Sequence, residues 1–154
     1  MSEANGKYIQ MMGRIYFIAV IPFFGGAIAP WIVGPTAGAE VPAFLLWSFT
    51  VVIFCSASWF GFCVAKHPRR AVLQMFVTFA LCGIAIAAFL AQQSQKPFIA
   101  AAILTIVHWL HLLWLQKTGA LDKDVLKPHR RFVWTVLACH MMVLLNLVYA
   151  VKTA

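Results

Sequence analysis

The chain has 154 residues, of which 63% are hydrophobic and 10% charged, and its formal net charge at pH 7 is +8. Soluble domains are nearer half apolar and about a quarter charged, and a chain this short has too little interior to hide such an excess. Composition therefore excludes an ordinary soluble globule, and it argues against a nucleic-acid binder because the basic residues sit in short segments between apolar runs rather than on one shared face.

Five apolar runs are long enough to cross a bilayer, which takes about 20 residues per helix. They cover 15–33, 43–65, 71–91, 98–115 and 132–151, and none holds Lys, Arg, Asp or Glu. Inside hydrocarbon every backbone group must be satisfied within its own segment, so the runs are expected to be helices. The alternation of a membrane β-barrel is missing. The expected fold is an all-α integral membrane bundle of five helices forming a single domain.

The first run has features of a signal peptide, with Lys7 and Arg14 before it and the small-residue stretch TAGAE at 36–40 after it. It exceeds a signal core of about 7–15 residues, and Pro22 and Pro30 suit a packed membrane helix. It is expected to remain as the first span. The cysteines Cys55, Cys63, Cys82 and Cys139 lie in or beside apolar runs with no CxxC pair. Free thiols are expected, not a disulfide framework.

Two near-identical basic pentapeptides, KHPRR at 66–70 and KPHRR at 127–131, precede the third and fifth runs. If the runs alternate in direction, ten of the twelve Lys and Arg residues fall on one side of the membrane. Positive residues stay cytoplasmic, which predicts a cytoplasmic N-terminus and an external C-terminus. A bacterial inner membrane is the expected location, with the mitochondrial inner membrane as the other option. Lys66, Arg69, Arg70, Lys127, Arg130 and Arg131 would fix orientation and touch anionic headgroups, at about 1 kcal/mol per basic residue. The segment 120–126 before the second pentapeptide reads equally as a short interfacial helix, with Leu121, Val125 and Leu126 on one face, or as a polar loop.

Polar side chains at membrane depth are the best pointers to function. Helix rise puts His108 and His140 near the middle of the fourth and fifth spans, and His111 one turn nearer the cytoplasm. Neighbouring antiparallel helices would bring His108 and His140 together, with Cys139 beside them. Such a set can hold a haem iron or a soft metal such as copper, with His111 as a further ligand. It can equally be interhelical packing glue. A nucleophile–base pair of Ser56 or Ser58 with His108 or His140 lacks a carboxylate at that depth, so no catalytic residue is assigned. Gly25, Gly26, Ala29, and the face around Gly83 and Ala87, are expected at close helix contacts. Trp31, Trp47, Trp114 and Tyr149 suit an aromatic belt.

Three stretches resemble an uncharacterised inner-membrane family, domain of unknown function 3429. FIAVIPFFGGAIAPWI is similar to its first helix. FCSASWFGF stands where the family has a glycine-rich stretch ending in His-Trp-Gly, with Trp59 in the histidine's place and Gly61 kept. RRFVWTVL matches its arginine and threonine with Arg131 and Thr135. The resemblance implies a multi-span membrane protein of no established activity. The leading expectation is an accessory or assembly subunit of a larger, respiratory membrane complex, or a homo-oligomer. The alternatives are a haem- or metal-binding protein and an oligomeric transporter or channel component.

Overall fold

The structure, a computed structural model, describes residues 3–33, 40–66, 68–118 and 123–153, with the side chains of 3–9, 63, 66, 68, 70–71, 125 and 151–153 outside the description. The expectations for 36–39 of TAGAE, Leu121, the side chains of Cys63, Lys66, Arg70 and Val125, and residues 120–122 of the interfacial segment fall outside the described residues. The chain forms α1 Glu3–Val33, α2 Glu40–Lys66, α3 Pro68–Gln93, α4 Pro97–Thr118 and α5 Lys123–Thr153. All five are long and apolar enough to cross a membrane. The chain is thus an all-helical, multi-pass membrane bundle.

All five helices start before their apolar runs, α2, α3 and α4 by three residues or fewer and α1 and α5 by nine or more. α1 begins twelve residues before position 15, and α5 begins at Lys123 rather than at 132. Continuation of the fifth helix through KPHRR corrects the loop reading of that pentapeptide. Pro128 is the sixth residue of the helix, past the first four whose N–H groups lack an intrahelical acceptor, so its missing donor forfeits one bond to the Asp124 carbonyl. The segment from Lys123 to Leu126 is likewise part of α5, continuous with the span.

The α3–α4 turn shows why a span ends where it does. Lys96 N–H bonds the Ala91 carbonyl at 2.9 Å and Gln95 N–H bonds the Gln92 carbonyl at 3.0 Å. That pair of bonds is a Schellman cap, and Gln95 occupies the left-handed position it requires, with φ 56°. Pro97 then opens α4, where its missing donor is no loss.

Contacts fix the helix directions. Trp47 Nε1 donates to the Ala19 carbonyl and Phe23 packs on Phe44, so α1 and α2 run antiparallel. Trp114 Nε1 donates to Gln74 Oε1 at 2.6 Å, tying α4 antiparallel to α3. By contrast Tyr16 meets His129, Phe23 meets His140 and Trp31 meets Tyr149, so α1 and α5 run parallel and close the bundle. α2 also touches α4 across the middle. One end of the bundle therefore gathers Arg14, Arg69, Lys117, Lys127, Arg130 and Arg131. We refer to it as the basic end.

Gly26 lets α1 and α2 approach closely, since a Cβ there would lie 2.9 Å from Phe44 Cβ. Gly25 has no such neighbour, and Gly83 and Ala87 are exposed while Ala85 and Ala88 are buried. The small-residue contact of α3 is thus on the other face from the one expected, because tight packing follows the buried alanines. Outside, Phe17 is 72% exposed and Ile32 78%. This outward apolar surface belongs in hydrocarbon.

Candidate functional site

The inward stripe of α5 repeats every three or four residues through His129, Val133, Val136, His140, Val143 and Asn146, and all six are buried. α4 faces it with Leu104, Val107, His108 and His111. Four histidines thereby meet in the interior. His111 lies against His129 with ring centroids 5.6 Å apart, and His108 against His140 at 5.4 Å. His108 and His111 are a turn apart on one helix, so the rings form a ladder that crosses from α5 to α4, climbs one turn and crosses back. The expectation that His108 and His140 meet agrees with this geometry.

Ser48 of α2 joins the upper pair. Its Oγ lies 3.0 Å from His108 Nε2 and 2.9 Å from His140 Nε2. The other nitrogen of His140 sets the direction of these bonds. Its Nδ1 is 2.9 Å from the Val136 carbonyl, which can only accept, so Nδ1 carries the proton. In a neutral ring Nε2 then accepts. Ser48 O–H donates to it, and Ser48 Oγ accepts from His108 Nε2–H. The result is a directed chain: His108 N–H to Ser48, Ser48 O–H to His140, His140 N–H to the backbone.

The lower pair is tied to α1. Tyr16 Oη lies 2.9 Å from His129 Nδ1. Trp59, fully buried, sets its ring edge-on against His129 at 5.2 Å. The Nε2 atoms of His111 and His129, Trp59 Nε1, Ser56 Oγ and Gln74 Nε2 are buried without a protein hydrogen-bond partner. All lie in the half of the bundle nearer the basic end. Glu40 Oε2 and Gln92 Oε1, toward the other end, are likewise without a partner; a buried polar atom without one costs about 1–3 kcal/mol, so these places favour water.

Phe23 and Phe44 wall off the upper pair. Phe44 lies 4.8 Å from His140 and Phe23 5.9 Å, with Phe23 6.2 Å from His108. These are edge-to-face and tilted contacts that exclude water from the pair. An imidazolium formed transiently at His140 would have aromatic neighbours and a backbone acceptor.

Sequence reasoning missed His129, Tyr16 and Ser48. His129 was masked by its basic neighbours, although its spacing of eleven residues from His140, about three helical turns, places it on the same stripe. Cys139 is buried beside His140, but among the described residues no group of three His, Cys, Asp or Glu side chains is placed to hold a metal. A metal bridging His108 and His140 has to replace the Ser48 hydroxyl that now joins them. Cys55, Cys82 and Cys139 are free thiols. Of the basic residues assigned to the lipid surface, Arg69, Lys127, Arg130 and Arg131 are exposed.

No family model matches the chain, and no curated protein or solved structure matches it.

Proposed function

We propose that this chain is a proton-relaying integral membrane protein, acting as a small subunit of a larger membrane complex. One observation carries the reading: the directed His108–Ser48–His140 chain at the centre of the bundle. Histidine passes protons because it can accept at one nitrogen while releasing from the other. A proton arriving at His108 Nδ1 would push the Nε2 proton onto Ser48, whose own proton passes to His140 Nε2; His140 is then an imidazolium, and because the Val136 carbonyl at its Nδ1 cannot take a proton, the ring must turn or water must reach it before the proton moves on. Toward the basic end, His111 and His129, whose Nε2 atoms have no protein hydrogen-bond partner, and the Tyr16 hydroxyl would join the path only through water, and Asn146 continues the buried polar stripe on the far side.

The test is proton flux into liposomes holding the purified protein, driven by a potassium diffusion potential and read with an internal pH dye. The native protein is expected to conduct above empty liposomes. Ser48→Ala is expected to reduce the flux about tenfold or more, the kinetic equivalent of losing a hydrogen bond of 1–3 kcal/mol. Native flux no greater than that of empty liposomes, or a Ser48→Ala variant that conducts equally, would overturn the proposal and leave the ladder as interhelical glue.

The accessory-subunit part of the reading rests on α1 and α3, whose most apolar windows are each only 22% buried. They present aromatic faces, including Phe17, Phe24, Phe76 and Phe79, that suit a protein neighbour as well as lipid. Purification in mild detergent is expected to return a larger complex in fixed ratio. Recovery of the chain alone would remove this part of the proposal. Ten basic residues at one end support our placement of that end in the cytoplasm and of the chain in a bacterial inner membrane. Kinship with domain of unknown function 3429 is likewise our proposal. The place of that family's helix-two histidine is held by Trp59, which packs on His129.

A further inference from the structure

A groove of about 790 Å³ runs between α1 and α5 on the outside of the bundle, starting at the basic end. Its mouth holds Lys127, Arg131 and Asp124, and its walls carry Phe17 and Phe24 of α1 with Phe132 of α5. Along α1 it extends from Gly13 to Phe24, about 16 Å at helix rise. That length matches the depth of one leaflet, half of a hydrocarbon core about 30 Å thick. The surface thus changes from charged to aromatic over the distance that separates a lipid's phosphate from the end of its acyl chain. Gly13 deepens the head of the groove, because nothing lies within 4 Å of where its Cβ would be.

We propose that this groove is a specific site for one anionic glycerophospholipid, of the phosphatidylglycerol type. Lys127 and Arg131 face its phosphate, one acyl chain lies along Phe17 and Phe24, and the Asp124 carboxylate accepts hydrogen bonds from the headgroup hydroxyls. The mouth has two positive charges and one negative, so its net charge of +1 complements a singly anionic headgroup. A choline headgroup offers no hydroxyl and brings its own positive charge to the site. The groove floor includes Tyr16, whose hydroxyl bonds His129 in the interior. The lipid site does not depend on whether the histidines relay protons, only on the bundle lying in a membrane.

The experiment is thermal unfolding of the full chain in dodecyl maltoside, with palmitoyl-oleoyl phosphatidylglycerol or the matching phosphatidylcholine added. Phosphatidylglycerol is expected to raise the midpoint by about 5 °C more than phosphatidylcholine, as a ligand of the folded state must. The double variant Lys127→Gln with Arg131→Gln is expected to abolish that difference. Gly13→Leu, which fills the head of the groove and leaves every charge in place, is expected to abolish it too. Arg69→Gln, at the same end but outside the groove, is expected to preserve it. Equal shifts from the two lipids would overturn the proposal. So would a preference that survives Gly13→Leu or the double variant, or one lost equally in Arg69→Gln, which marks diffuse charge rather than a site.

Discussion

Ser48 serves two imidazoles with one hydroxyl, donating to one and accepting from the other. Its loss leaves a donor on His108 and a lone pair on His140 without partners in a buried place. Ser48→Ala is therefore expected to destabilise the fold by about 1–3 kcal/mol, read as a lower midpoint of unfolding in mixed micelles with sodium dodecyl sulfate. Thr50 provides the contrast. It is exposed and bonds only the Leu46 carbonyl of its own helix, so Thr50→Ala is expected to change the midpoint by less than about 0.5 kcal/mol. The two histidines of the upper pair were legible in the sequence because depth follows from counting along an uncharged run. Ser48 was not, since a serine in an apolar helix more often bonds its own backbone and nothing local distinguishes one that reaches across. Tyr16 carried no signal for the same reason: its partner lies 113 residues away.

Helix boundaries show a second limit of sequence. Apolar runs located all five helices, but they placed the start of α5 at 132 because KPHRR reads as a charged stop. The backbone ignores that stop, as Arg130 and Arg131 are exposed while His129 on the same turn is buried. Charge marks which side of a helix turns outward as well as where a span ends, and composition alone does not separate the two. At the α1–α2 contact, Gly26→Ala is expected to cost about 1–3 kcal/mol by overpacking, since Phe44 Cβ is anchored to its backbone and cannot swing aside. Phe44 also packs on His140, so the same substitution is expected to lower proton flux. In the α3–α4 turn the effect is reversed. Gln95 holds a left-handed conformation that glycine adopts without strain, and Gln95→Gly is expected to stabilise the bundle by about 1 kcal/mol. The same unfolding midpoint checks both.

At the scale of the whole molecule, five spans would put Glu3 and Thr153 on opposite sides of the membrane. The concentration of Lys and Arg at one end predicts which side each occupies. Alkaline phosphatase fused after Thr153 is expected to be active outside the cytoplasm, and green fluorescent protein fused before Glu3 to fluoresce inside; the reverse pattern would contradict the orientation. The membrane class and the number of helices were readable from composition because lipid demands apolar length wherever it is met. The arrangement of the helices was not. Five uncharged spans can close in several orders, and the choice made here depends on particular pairs such as Gly26 with Phe44 and Tyr16 with His129.

The parallel seam between α1 and α5 has a consequence for how the protein is made. Helices α1 and α5 are neighbours, so the bundle stays open along one flank until α5 has been made. Until α5 enters the bilayer, Ser48, His108 and His111 have no histidine partners from that helix, and Tyr16 lacks His129. Arrival of the final span both closes the flank and completes the ladder. Ribosome-bound chains that stop before Lys123 should therefore display their polar interior to lipid or to an insertion chaperone, and photo-crosslinkers at Ser48 should report that exposure vanishing once the last thirty or so residues have emerged.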